Sequence, residues 1–106
     1  MTLEDEYKLL IGAYYGVKSL DEYDLKEYLL SDIRKLIDGF ISSNKLGNYD
    51  YKEMEEVYNK ELSLRTKLQD ALLVLHDMNA PMEVILLIRA KLKEEKKYWL
   101  IIGIFV

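Results

Sequence analysis

The amino-acid sequence predicts an all-α fold, an up-and-down antiparallel bundle of about four helices, on three observations. Apolar residues recur at spacings of three and four along most of the chain, the pattern of a helix that buries one face. Only five Gly and one Pro interrupt 106 residues, whereas an all-β chain needs a turn roughly every 8–12 residues. The stretches between periodic segments are short, which favours antiparallel neighbours. A chain of this length has room for one core, so residues 1–106 are expected to form a single helical domain.

The first helix is expected over Leu3–Val17, where Leu3, Tyr7, Leu10, Tyr14 and Val17 share a face. Thr2 is placed to accept a free N–H of the first turn, and Glu4, Asp5 and Glu6 suit the positive end of the helix dipole. The second is expected over Leu20–Ser43. Ser19 and Glu22 have the spacing of a capping box, and Leu29, Ile33, Leu36 and Phe40 form the stripe, widened by Leu25, Leu30, Ile37 and Ile41. Gly39 inside it costs up to ~1 kcal/mol relative to Ala.

Asn44–Asn48 reads as a turn, rich in residues that tolerate left-handed backbone angles. Asp50 and Glu53 then open a third helix that runs to Met78. Its seam of Met54, Val57, Leu64, Leu68, Ala71, Leu75 and Met78 follows a heptad, interrupted by Glu61. At ~1.5 Å per residue this helix would span about 40 Å and project past its shorter neighbours. That mismatch is the sequence's case for a homo-oligomer. Asn79-Ala80-Pro81 breaks it, and a fourth helix follows that holds Val84, Ile85, Leu87, Ile88 and Leu92 and then turns strongly polar through Lys97.

The closing segment Tyr98–Val106 is open between two forms. It can continue the helix, or leave it as an extended strand favoured by Ile101, Ile102, Ile104, Val106 and Gly103. Either way it is too apolar to be left in water, and it is expected to pack into the core or against another chain through Tyr98, Trp99, Ile102 and Phe105. It falls well short of the ~20 apolar residues that span a bilayer. The acidic start Glu4-Asp5-Glu6 is unlike a signal peptide. With no Cys in the chain as well, a cytoplasmic location is expected.

The chemistry-bearing residues argue against catalysis. Without Cys there is no thiolate nucleophile or thiolate metal site, and His76 is the only histidine. Its neighbour Asp77 lies on a different helix face, so the two form no dyad. Glu53 and Glu56 supply the first half of the paired Glu-x-x-Glu and Glu-x-x-Asp pattern by which all-α nucleotide pyrophosphatases hold magnesium. No second half follows. No cofactor or metal is expected, and a metal-dependent all-α hydrolase built on helix-borne carboxylates stands as the alternative.

Charge and aromatic content point to binding instead. The net charge is −4, with eight acids against three lysines in residues 1–32. Such a surface repels phosphate backbones at long range. Nucleic-acid binding is therefore confined to a lesser alternative, on Arg89, Lys91, Lys93, Lys96 and Lys97. Nine tyrosines are a heavy load, and several alternate with acids. Tyrosine offers contact area and a polar tip at little entropic cost, which concentrates it at interfaces. The expected function is a non-enzymatic protein–protein interaction module, one concrete form being a small inhibitor or regulator carried by a phage or mobile element. Its expected partner face comprises Tyr15, Asp21, Tyr23, Asp24, Glu27, Tyr28, Tyr49, Tyr51 and Tyr58.

Overall fold

The computed structural model describes the backbone of residues 2–44 and 51–105, and the side chains of residues 2–44 and 53–95. The described chain is all-α: α1 Leu3–Lys18, α2 Lys26–Ser43, α3 Tyr51–Glu61, α4 Leu64–Asp77 and α5 Met82–Phe105, with no strand among the described residues.

α1 starts as local chemistry dictates. The Thr2 hydroxyl accepts from the Asp5 N–H at 3.1 Å, and the Asp5 carboxylate accepts from the Thr2 N–H at 3.4 Å, so a capping box closes the first turn. The helix ends at Ser19, and here the structure departs from the sequence expectation. Ser19 caps no second helix; its hydroxyl donates to the Gly16 carbonyl at 2.6 Å and its N–H to that of Tyr15. Residues 20–25 form a non-helical connection, and α2 begins only at Lys26. One contact that holds this connection is local and the other is tertiary. The Lys26 ammonium, buried, donates to the Leu20 carbonyl at 2.6 Å, and the Lys91 ammonium of α5 donates to the Ser19 carbonyl. Both cations occupy carbonyls at the negative end of α1 that a continuing helix would have used.

The expected third helix is two. Leu62 completes the last turn of α3 through its N–H to Tyr58, and Ser63 then adopts extended backbone (φ −69°, ψ 157°). Its hydroxyl accepts from the Thr66 N–H at 3.1 Å and caps α4. Glu61, the interruption in the heptad, marks the break. Beyond it Leu68, Ala71 and Leu75 are fully buried as expected, whereas in α3 the buried position passes from the seam residue Val57 to Tyr58. At ~1.5 Å per residue the two helices span about 16 and 21 Å, near the 24 Å of α1. The expected long third helix is thereby gone, and the longest element is instead α5, whose 24 residues span about 36 Å.

α4 stops where the sequence says. Asn79 takes a left-handed conformation (φ 54°), its N–H donates to the His76 carbonyl, and the Ala80 N–H donates to Leu75 at 3.0 Å. That is the Schellman arrangement, with Asn in the position usually given to Gly. α5 then runs from Met82 with helical backbone through Phe105, so the chain does not leave as a strand at Tyr98. The turn residues 45–48 and the proposed Asp50 cap lie outside the described residues.

All five helices share one apolar cluster: Tyr7, Ile11 and Val17 of α1, Leu29, Ile33 and Ile37 of α2, Tyr58 of α3, Leu68 and Leu75 of α4, and Val84 and Ile88 of α5. α1 is the central element, packed on α2, α3 and α4, and its most extensive partner is α4, with two helices between them in sequence. Gly12 and Gly16 make this close crossing possible. A Cβ on Gly16 would sit 2.3 Å from the Lys67 carbonyl oxygen of α4. No described helix is long and apolar enough to cross a membrane.

Candidate functional site

The nine residues expected to form a partner face are divided by the fold. Tyr58 belongs to the core: it is 3% exposed, lies 5.9 Å from the Tyr7 ring, and its hydroxyl donates to Glu4 at 2.8 Å. Tyr15 is half-buried and tied up in a polar cluster where α1, α2 and α3 meet. Its hydroxyl donates to Glu55 Oε2 at 2.8 Å, while Arg34 grips the same carboxylate with two nitrogens, at 2.6 and 3.3 Å. The Arg34 guanidinium also lies 4.4 Å from the Tyr14 ring centroid.

The electrostatics of the cluster follow from this geometry. Burial and the Glu55 hydrogen bond push the Tyr15 hydroxyl up to about 12. Burial raises Glu55, but the Arg34 and Tyr15 hydrogen bonds outweigh it and hold the carboxyl below its ordinary value. The Glu55 hydrogen bond raises Arg34 further. Tyr15 and Arg34 thus stay protonated and Glu55 ionised near neutral pH, which suits a fixed clamp between helices and leaves no group poised to move a proton. Sequence reasoning missed the Arg34–Glu55 pair, because nothing local links residues 21 positions apart.

The rest of the expected face converges on the connection after α1 and the first turn of α2. Asp21, Asp24 and Glu27 are exposed, Leu25 is 38% exposed, and Tyr28 is 72% exposed. Tyr23 is turned inward; its ring packs against the core and its hydroxyl is shielded from solvent without a hydrogen-bond partner among the described residues. Burial raises its pKa. Tyr49 lies outside the described residues, as do the side chains of Tyr51, Tyr98, Trp99, Ile102 and Phe105.

Beside this segment a cleft of about 410 Å³ opens between residues 20–23 and α5. Leu20, Tyr23, Leu87 and Ala90 line it with apolar surface, and Asp21, Glu22 and Glu94 place three carboxylates around it against one ammonium, that of Lys91. Since Lys91 is already bound to the Ser19 carbonyl, the cleft favours a cationic group over an anionic one.

The carboxylates singled out for metal chemistry, Glu53 and Glu56, are both exposed. Among the described residues no three Asp, Glu or His side chains converge as a ligand set. His76 is exposed at the end of α4, where a basic residue suits the helix dipole. Of the basic segment, Arg89 and Lys93 are exposed and Lys91 is engaged as above; the side chains of Lys96 and Lys97 lie outside the described residues. Leu73 of α4 and Met82, Leu86 and Leu87 of α5 are exposed apolar side chains. No protein-family model, curated protein or solved structure matches this chain.

Proposed function

We propose that this protein is a non-enzymatic binding module that works in the cytoplasm as a small inhibitor or regulator, engaging a protein partner through the segment Asp21–Tyr28. The observation that carries this reading is the exposure of Tyr28, at 72%, beside Leu25 in a setting of Asp21, Asp24 and Glu27. An aromatic ring and a leucine held in water on a fixed helix start have contact area to gain from a partner, and the acids around them select a basic one. The acidic cleft next to them extends the same preference. The segment is anchored from behind by Lys26 and Lys91, so little ordering is required on binding. Up-and-down helix order and any self-association belong to the same proposal.

The test compares capture of proteins from a lysate of the native host by the wild-type chain and by a variant carrying Tyr28→Ala, Asp24→Lys and Glu27→Lys. All three positions are exposed, so the variant should keep the wild-type melting curve. A partner recovered by the wild type and lost by the folded variant supports the reading. Equal recovery by both removes it.

A further inference from the structure

Asp70 takes no part in the acidic surface. It stands on α4 at the crossing with α1, half-buried, with its carboxyl over Gly12. A Cβ at position 12 would lie 2.1 Å from Asp70 Oδ2 and 2.9 Å from Cγ, so the missing side chain of Gly12 is what makes room for the carboxyl. No hydrogen bond reaches it among the described residues. The charge that faces it from α1 is Lys8, which is shared: its ammonium lies 3.8 Å from Glu61 of α3 and 5.3 Å from the Tyr58 ring centroid. Neither α2 nor α5 brings a described charge that acts on it.

We propose that Asp70 in the Gly12 notch makes the α1–α4 crossing an acid-tightened clasp. Ionised, the carboxylate is drawn toward water and works against close packing of the two helices; protonated, it rests in the notch and the crossing closes. The crossing is the most extensive helix contact among the described residues, and α1 leads directly into the connection at residues 19–25. A change there reaches the whole bundle.

The pH window follows from the signs. Burial pushes Asp70 up to about 6 against an ordinary value of 3.8, with Lys8 opposing. A carboxyl raised in the folded state subtracts stability when ionised, so stability rises as pH falls from about 7 through about 6 toward 3.8. Glu55 acts with the opposite sign. Held below its ordinary 4.5, it contributes stability above that value and loses it as pH falls further. Between pH 7 and about 4.5 the trend therefore belongs to Asp70.

The experiment uses the full chain in a His76→Gln background, which leaves no imidazole in the protein. The Asp70 carboxyl carbon is titrated by NMR, and urea unfolding midpoints are measured from pH 7.5 to 5. The expected result is a titration midpoint at least one unit above 3.8 and a urea midpoint that rises as pH falls. Asp70→Asn, close in shape, should start with a higher urea midpoint at pH 7.5 and show little slope. A carboxyl midpoint near 3.8 overturns the proposal, and so does an Asp70→Asn variant that keeps the wild-type slope. Should that variant not fold, the wild-type titration decides alone.

Discussion

Replacing Gly16 by Ala tests the central packing claim, because helix propensity and tertiary geometry predict opposite signs. In an isolated helix the change would stabilise by up to ~1 kcal/mol. In the structure the new Cβ falls 2.3 Å from the Lys67 carbonyl oxygen, 2.8 Å from its carbon and 3.0 Å from Ala71 Cβ. A close C···O contact is about 3.3–3.6 Å, so α1 and α4 must part by about 1 Å. The obstacle is backbone and cannot rotate away. Overpacking of this kind costs about 1–3 kcal/mol, and the upper part of that range applies at the largest interface. Net of the propensity gain, Gly16→Ala should destabilise by about 1–2 kcal/mol. Gly39→Ala is the matched control: nothing lies within 4 Å of its Cβ position, so the propensity gain of ~0.5–1 kcal/mol stands unopposed. Urea unfolding followed by far-UV circular dichroism measures both. A Gly16→Ala protein as stable as the wild type would mean that the crossing is wider than described, and a Gly39→Ala protein less stable than the wild type would refute the reasoning at its control.

Two further substitutions probe separate parts of the fold. Leu75→Ala empties a fully buried position and should cost ~2–5 kcal/mol; a loss under about half a unit in a thermal or urea melt would place α4 in another rotation. Ser63→Ala removes the hydroxyl that caps α4 and should cost ~0.5–2 kcal/mol. Ser63→Thr, which keeps the acceptor, should restore most of that stability, and an Ala variant unchanged in the same melt would show that α3 and α4 are joined without a cap.

Much of the candidate surface was legible as composition and little of it as geometry. Acids and tyrosines in the first third of the chain marked Asp21, Asp24, Glu27 and Tyr28, and these four are exposed together. The same criterion also chose Tyr58 and Tyr15, which the fold spends on packing and on the Glu55 clamp. Tyrosine suits both a core edge and an interface, since one end is apolar and the other polar. Which role each one takes depends on where a second helix passes, and that is not written in its neighbours. The Gly12-x-x-x-Gly16 spacing was the signal that could have located the α1–α4 crossing, and with it the place of Asp70.

By itself the sequence determined the features that depend on contacts within a turn or two. These are the Thr2 cap, the buried stripe of α4, the stop at Asn79 and the restart after Pro81. Helix faces, caps and left-handed stops are closed by residues no more than about four or five apart, so local chemistry suffices. Tertiary structure decided the rest. Leu64 and Leu68 continue a heptad that the Ser63 cap breaks, and two local signals of similar strength are separated only by what each arrangement buries. Ser19 and Glu22 form a sound capping pattern that goes unused, because ammonium groups from Lys26 and from Lys91, 72 residues beyond Ser19, hold the carbonyls of Leu20 and Ser19. A pattern in sequence states what a segment can do alone; long-range partners, absent from any window of the chain, determine which of those options has its polar groups satisfied and its apolar face covered.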